Sequence, residues 1–296
     1  MTLARSERRW PYLLLAPLVV YMLVMTIFPL VYNIWLSLTN YSMGTPHPGR
    51  FVGLSNYGAV LQDHILMAGL YKALLIAVIA IPVQSVLGFL FAKSFLGLGD
   101  RRGAGVLRSM YLVPVMVTSL VVGLYAGYML DPNVGVVDGV LQSLGLAPSL
   151  FLTSPQTSMP TLIGAYLWQW TPFSTMLILG GLVALPPEIL EAAAVDGAHD
   201  GLVRWLNIDV PLLRSVFAIN ALLSLVQISR MFGLVYGATR GGPGTTTMVI
   251  GMGLFRDAFE FFNTGYSAAA AMILLVIVVL ISQVFVRYTP VAEGDR

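Results

Sequence analysis

Glu191-Ala192-Ala193-Ala194-Val195-Asp196-Gly197-Ala198, followed by Ile208-Asp209-Val210-Pro211-Leu212-Leu213, lies in the longest polar interruption in the second half of a very apolar chain. Glu188, Glu191, Asp196, His199, Asp200, Arg204, Asp209 and Arg214 all fall between Pro186 and Ser215. Pro186-Pro187 followed by Glu188 reads as a helix start, because proline is tolerated in the first turn and acids are favoured by the positive end of the helix dipole. Ala192 to Ala194 propagate that helix, and Gly197 supplies the left-handed residue that ends it. Asp200 is placed to cap a second short helix, Gly201 to Val210, which Pro211 closes. The stretch reads as a helix, a glycine turn and a second helix, exposed between two hydrophobic spans.

This segment resembles the EAA loop of bacterial ABC-importer permeases of the carbohydrate-uptake type, related to the maltose and glycerol-phosphate permeases. The family's pattern is Glu-Ala-Ala, three residues, Gly, nine residues, then Ile-x-Leu-Pro. Glu191, Ala192, Ala193, Asp196, Gly197, Ala198, Ile208 and Pro211 match it, with Val210 in place of Leu. The chain departs once: ten residues, not nine, separate Gly197 from Ile208. The resemblance implies that the loop docks into a groove on a cytoplasmic ATPase subunit and transmits its motion.

Composition supplies a membrane context. Of the 296 residues, 57% are hydrophobic and 10% charged, against about 25% charged in a soluble domain. There is no cysteine, so neither a disulfide framework nor a thiolate metal site is proposed.

Arg5, Arg8 and Arg9 precede an apolar run from Tyr12 to Leu38. A cleavable signal peptide would have a core of ~7–15 residues and a small-residue cleavage site, so the run reads as a first transmembrane helix. In the polar loop from Asn40 to Asp63, Phe51-Val52-Gly53-Leu54-Ser55-Asn56-Tyr57 resembles a segment of sugar permeases. Further spans are expected over Met67–Ala92, Leu107–Leu130, Met159–Leu185, Ser215–Tyr236 and Tyr266–Val286, with Pro82 and Pro114 inside the second and third. Asp131 to Ser158 is a second exposed loop. Thr239-Arg240-Gly241-Gly242-Pro243 breaks the helix after the fifth span and resembles the Thr-x-Gly-Gly-Pro turn of sugar permeases. Phe255 to Phe262 is amphipathic enough to lie at the membrane surface. Each span holds the ~20 apolar residues needed to cross the hydrocarbon core. The expected fold is therefore all-α and integral to the membrane: six transmembrane helices in a single domain over residues 1–296, with a coupling loop at 186–214. The resemblance makes it the type I importer-permease fold.

Basic residues set the orientation. With the N-terminus inside, Arg5, Arg8, Arg9, Lys93, Arg101, Arg102, Arg108, Arg204, Arg214, Arg287 and Arg296 fall on inner segments, and Arg50, Lys72, Arg240 and Arg256 on outer ones. The positive-inside rule then puts the Glu-Ala-Ala loop and both termini in the cytoplasm.

The chain has no Gly-x-x-x-x-Gly-Lys-Ser/Thr, so it is not expected to hydrolyse ATP or to be an enzyme. His47, His64 and His199 are scattered without ligand spacing. Acidic residues are absent from the expected spans, which argues against an ion-coupled carrier. Trp168-Gln169-Trp170 starts ~14 Å into the fourth span. Such tryptophans are too deep for an interface belt, and indole rings stack on the C–H faces of sugars. Helix packing competes with that pathway reading. In the fifth span Asn220, Ser224 and Gln227 share one helical face; polar stripes also act as glue between helices. Arg230 is the one charged residue placed inside a span, and it either snorkels or lines the path with Gln227.

The resemblance thus implies a permease subunit of an importer for a sugar or sugar derivative in the bacterial cytoplasmic membrane. Its implied partners are a second, different permease subunit, two ATPase subunits, an extracytoplasmic solute-binding protein and membrane lipid, with no nucleic acid. No cofactor is expected on this chain, with ATP and Mg on the ATPase subunits. The alternatives are a permease for a non-carbohydrate solute, an ion-coupled carrier and a membrane scaffold.

Overall fold

In hydrocarbon every backbone N–H and C=O needs a protein partner, which an apolar segment finds most simply by forming a helix. The computed structural model describes residues 10–99, 101–147, 150–198 and 201–288, and these contain no strand, only an isolated antiparallel bridge between Thr39 and Phe51. The chain runs α1 (Trp10–Ser37), α2 (Ser55–Gln62), α3 (His64–Leu98), α4 (Ala104–Tyr111), α5 (Val113–Met116), α6 (Ser119–Met129), α7 (Val136–Ser143), α8 (Ser158–Val183) and α9 (Pro187–Val195). It continues with α10 (Leu202–Leu212), α11 (Arg214–Ser229), α12 (Phe232–Ala238), α13 (Ile250–Phe255) and α14 (Thr264–Tyr288). Two π-turns interrupt the pattern, Trp205–Asp209 within α10 and Arg256–Glu260 after α13.

Among the described residues, α1, α3 and α14 are each long and apolar enough to cross a membrane unbroken. The third and fifth expected spans are broken. In the third, Pro114 removes a backbone donor and restricts Val113, and Val117 and Thr118 turn extended before α6 begins. The Val117 carbonyl is taken up by Gln169 Nε2 at 2.7 Å. The fifth stops at Ser229 and resumes at Phe232, with Arg230 closing α11. Sharp bends of 78° between α8 and α9, and 71° between α10 and α11, set off the polar loop between them.

The chain divides into two compact units, residues 1–63 with 254–275 and residues 64–253 with 276–296. In the first, α1 exposes apolar side chains such as Leu18, Tyr21 and Phe28. The Asn56 amide closes the end of α1 by donating to the carbonyls of Ser37 at 2.9 Å and Thr39 at 2.8 Å. That is the physical role of the Phe51–Tyr57 segment. Gly265 packs so closely on α1 that a Cβ there would meet the Thr39 carbonyl. Tyr266 donates to Asp63 at 2.8 Å. Nearby, burial and the Asp63 charge raise the Asp257 carboxyl to about 6, against the pull of Arg256.

The second unit is organised on α8, which packs along α3 and also touches α6, α11 and α12. Its larger core gathers Ile76, Leu162, Tyr166, Ile228 and Leu234. A smaller one, at the loop end, holds Phe89, Ala92, Ile178, Leu182 and Leu213. α6 and α12 meet through two small-residue motifs, Gly123-x-x-x-Gly127 and Gly233-x-x-x-Gly237. A Cβ on Gly123 would meet the Leu234 carbonyl, and one on Gly237 would meet the Leu120 carbonyl and lie 2.8 Å from the Leu124 nitrogen. Only glycine lets these two backbones approach so closely.

Candidate coupling loop and pathway

The first half of the loop is built by its helix stop. α9 opens with Pro187 in its first turn and Glu188 just after, and ends at Val195. Gly197 has a φ of 85°, the left-handed conformation expected of it. The Ala198 N–H reaches back to the Ala193 carbonyl at 2.8 Å and the Gly197 N–H to Ala194 at 3.2 Å. This paired closure turns on a left-handed residue just past the helix end, most often glycine, and is frequently accompanied by an apolar contact of the residue after it with the last turn. Ala193, whose carbonyl takes the Ala198 N–H, is buried. The spacing from Glu-Ala-Ala to Gly is therefore a helix-termination geometry. Glu191, Ala192, Asp196 and Gly197 stay exposed and Ala198 half-buried. The Asp200 cap expected for the second helix lies outside the described residues.

That second helix, α10, runs one residue beyond Pro211 instead of closing there. A π-turn, Trp205–Asp209, widens this helix around Ile208. Pro211, lacking an N–H, leaves the Asn207 carbonyl without its usual i+4 donor and favours the widening. Ile208 is half-buried and Pro211 exposed.

Asp209 is fully buried; its Oδ2 accepts from Lys93 Nζ of α3 at 3.1 Å and its Oδ1 from Arg204 Nε at 3.4 Å. The Lys93 ammonium also lies 5.7 Å from the centre of the Trp205 ring, which meets Phe89 edge-on at 5.8 Å. The loop's inner side is thereby fixed to α3. Its exposed side presents Val195, 88% exposed, on the same helix as the exposed acids Glu191 and Asp196, while Leu202 and Leu206 of α10 line an apolar cavity against α3 with Phe89 and Phe217.

Deeper in the unit a buried polar network joins three helices. Gln84 of α3 donates to Ser174 of α8 at 2.6 Å and accepts from Ser224 of α11 at 3.3 Å. Ser174 donates to Asn220 at 2.5 Å, and the Asn220 amide donates to Ser85 at 3.1 Å. Asn220 and Ser224 thus sit in helix glue. Trp170 is half-buried against the larger core, edge-on to Phe173. Trp168 faces outward, 60% exposed, between two apolar cavities of about 520 and 510 Å³. The first is also lined by Tyr111 and by Thr171, whose buried Oγ1 has no hydrogen-bond partner among the described residues. Gln169 is buried at the break in the third expected span. Gln227 is half-buried and Arg230 exposed where the fifth breaks.

No family model matches the chain. It is similar to the trehalose/maltose transport system permease protein MalF of Thermococcus litoralis, 32% identical over 278 residues that cover 93% of this chain and 91% of that protein. The chain belongs to the sugar ABC-transporter permeases. The trehalose transport system permease protein SugA of Mycobacterium tuberculosis is 29% identical, over 95% of this chain and 89% of that relative. The fold is that of an ABC-importer permease. It matches, at a TM-score of 0.80 and 17% identity over 98% of this chain and 97% of that one, a chain in the crystal structure of a bacterial alginate ABC transporter in complex with alginate pentasaccharide-bound periplasmic protein.

As a member of this family the permease is a membrane transport subunit rather than an enzyme. Several of its structurally decisive residues are not marked by its spans and motifs: Gln84, Ser174, Thr171, the Lys93–Asp209 pair and the close-packed Gly123, Gly233 and Gly237 of α6 and α12. Signals for some were present. Gln84 and Lys93 are polar residues in an otherwise apolar helix, and the small-x-x-x-small motifs stand in apolar stretches. Nothing in the sequence pairs Lys93 with Asp209, 116 positions away.

Proposed function

We propose that this permease carries a sugar or sugar derivative across the bacterial cytoplasmic membrane as one of two different permease subunits in an ATP-driven importer. Two ATPase subunits dock on the 186–214 loop and hold the ATP and Mg; this chain binds no cofactor. An extracytoplasmic solute-binding protein delivers substrate, a reading supported by the periplasmic protein in complex with the structurally similar alginate transporter. The single observation that carries the coupling role is the two-sidedness of the loop. It offers acidic and apolar side chains outward while a buried ion pair and an aromatic contact fix its inner side.

Residues 1–296 act as one domain with six crossings, α4–α6 and α11–α12 each forming one broken crossing, and both termini cytoplasmic. The exposed apolar length of α1 suits lipid and the second permease. Broken helices at membrane depth are tolerated where they are buried in protein or line a cavity. The pathway therefore runs by Trp168, Gln227 and Arg230, where an indole face stacks on a sugar ring and a guanidinium binds hydroxyls or an acidic substituent. The carbohydrate class is favoured by the trehalose and maltose relatives.

The test is Glu191→Ala in the purified complex with its binding protein. Substrate-stimulated ATPase activity should fall and ATPase subunits should be lost from the complex. Full stimulation at unchanged subunit stoichiometry sinks the coupling role.

A further inference from the structure

We infer that Asp209 is a positioning residue that carries displacement of the Glu191 loop into α3, so that α3, α8 and α11 move as one body. The inference rests on the coupling role proposed for that loop. By chain connectivity the loop is joined only to α8 and α11, and both joints are sharp bends, 78° and 71°. A bend at a helix end is a natural pivot, so these two joints alone would let the loop swing without moving the helices. The third attachment is different in kind. Asp209 lies on the inner side of α10, fully buried, and its two oxygens are held from two sides by Lys93 of α3 and Arg204 of α10 itself. The carboxylate cannot turn without breaking one of those contacts. The Lys93 side chain is itself only 5% exposed, and it is further confined against Trp205.

Stability is a poor explanation for such a pair. Desolvating two charges offsets much of their attraction, and apolar replacements of buried pairs are often as stable. What a two-sided ion pair supplies, and an apolar contact does not, is one fixed register between two elements. The pair sits where a register matters, between the outward-facing loop and the helix to which Gln84 ties α8 and α11. Force applied at Glu191 or Val195 thus reaches the polar network through α3 as well as through the two bends.

The absence of cysteine from this chain permits a direct test. Spin labels are placed at Val195→Cys on the loop and Val78→Cys on α3, both exposed, in the full complex. Their separation is measured by pulsed electron resonance, nucleotide-free and trapped with MgATP and vanadate. In the otherwise unchanged protein the two labels should keep one narrow, unshifted separation, because loop and helix move together. With the isosteric Asp209→Asn, or with the paired Asp209→Leu/Lys93→Met that leaves neither charge buried alone, the trapped state should lose that single peak while subunit stoichiometry holds. A merely structural role would alter assembly or broaden the distance distribution alike with and without nucleotide, not in the trapped state alone. A single unshifted peak in both variants overturns the inference. So does a shifted peak in the unchanged pair. Cross-linking of Val195→Cys to the ATPase subunits separates the two readings. If the cross-link forms and the variants behave as wild type, only the clamp fails; if it does not form, the coupling role fails and the clamp with it.

Discussion

Two helix interfaces in the same unit are held by opposite means. Between α3, α8 and α11, contact is made by side chains: Gln84, Ser174, Asn220 and Ser224 form a chain of hydrogen bonds with apolar neighbours around it. Between α6 and α12 the backbones themselves touch, through glycines that leave no room for a Cβ. Lipid tails are as apolar as leucine, so hydrophobicity does not drive helices together within a bilayer. Close packing and interhelical hydrogen bonds are what remain, and this permease uses one of each. The lesson is mechanical. A hydrogen-bond network has several members and can adjust when one is lost, whereas a backbone contact has no slack.

Gly237→Val should have the largest effect. The added side chain would meet the Leu120 carbonyl, and overpacking costs about 1–3 kcal/mol, with the upper end expected where the contact is backbone against backbone. Thermal unfolding in detergent should drop steeply and complex yield with it. Wild-type yield and melting would mean that α6 and α12 are free to separate. Asn220→Leu should do less. It removes the partner of Ser174 and Ser85 but leaves Gln84 joining α3 to α8 and α11, so a loss of roughly 0.6–2 kcal/mol is expected. Pairing it with Gln84→Leu in a double-mutant cycle measures the cooperativity of the network. Strict additivity would show that the four side chains act singly.

The smallest effect separates both interfaces from a third contact, in the 1–63 and 254–275 unit. Neither the glycine pair nor the amide–hydroxyl chain contains an ionisable side chain, and neither should respond to pH. Asp257 should. Its carboxyl is raised to about 6 by burial and by Asp63, so its contribution to stability is fully present below the ordinary carboxylate value and is lost as pH rises through about 6. Asp257→Asn should then stabilise the protein near pH 7.5, on the order of 1 kcal/mol once solvent screening of a half-exposed group is allowed for. Near pH 4 it should change little. A gain of equal size at both pH values would place its origin elsewhere than in titration.

Much of this permease is legible in its sequence because the relevant physics is local. Apolar runs of bilayer length become helices, and α1, α3 and α14 follow directly from Tyr12–Leu38, Met67–Ala92 and Tyr266–Val286. The turn at Gly197 is equally local, since a left-handed glycine just past a helix end lets backbone N–H groups return to the last carbonyls. The broken third and fifth spans are less so. Hydropathy sums side chains over a window and does not register two or three extended residues such as Val117 and Thr118. Gln169 looks like a pathway residue beside its tryptophans, and only the fold brings the Val117 carbonyl to its amide. Likewise the four glycines are visible one by one, but which helix each motif faces was decided by packing. Lys93 and Asp209 make the limit plain. Residue type says that each charge needs a partner when buried; only the tertiary structure, by folding α10 back onto α3, decides that they are partners to each other.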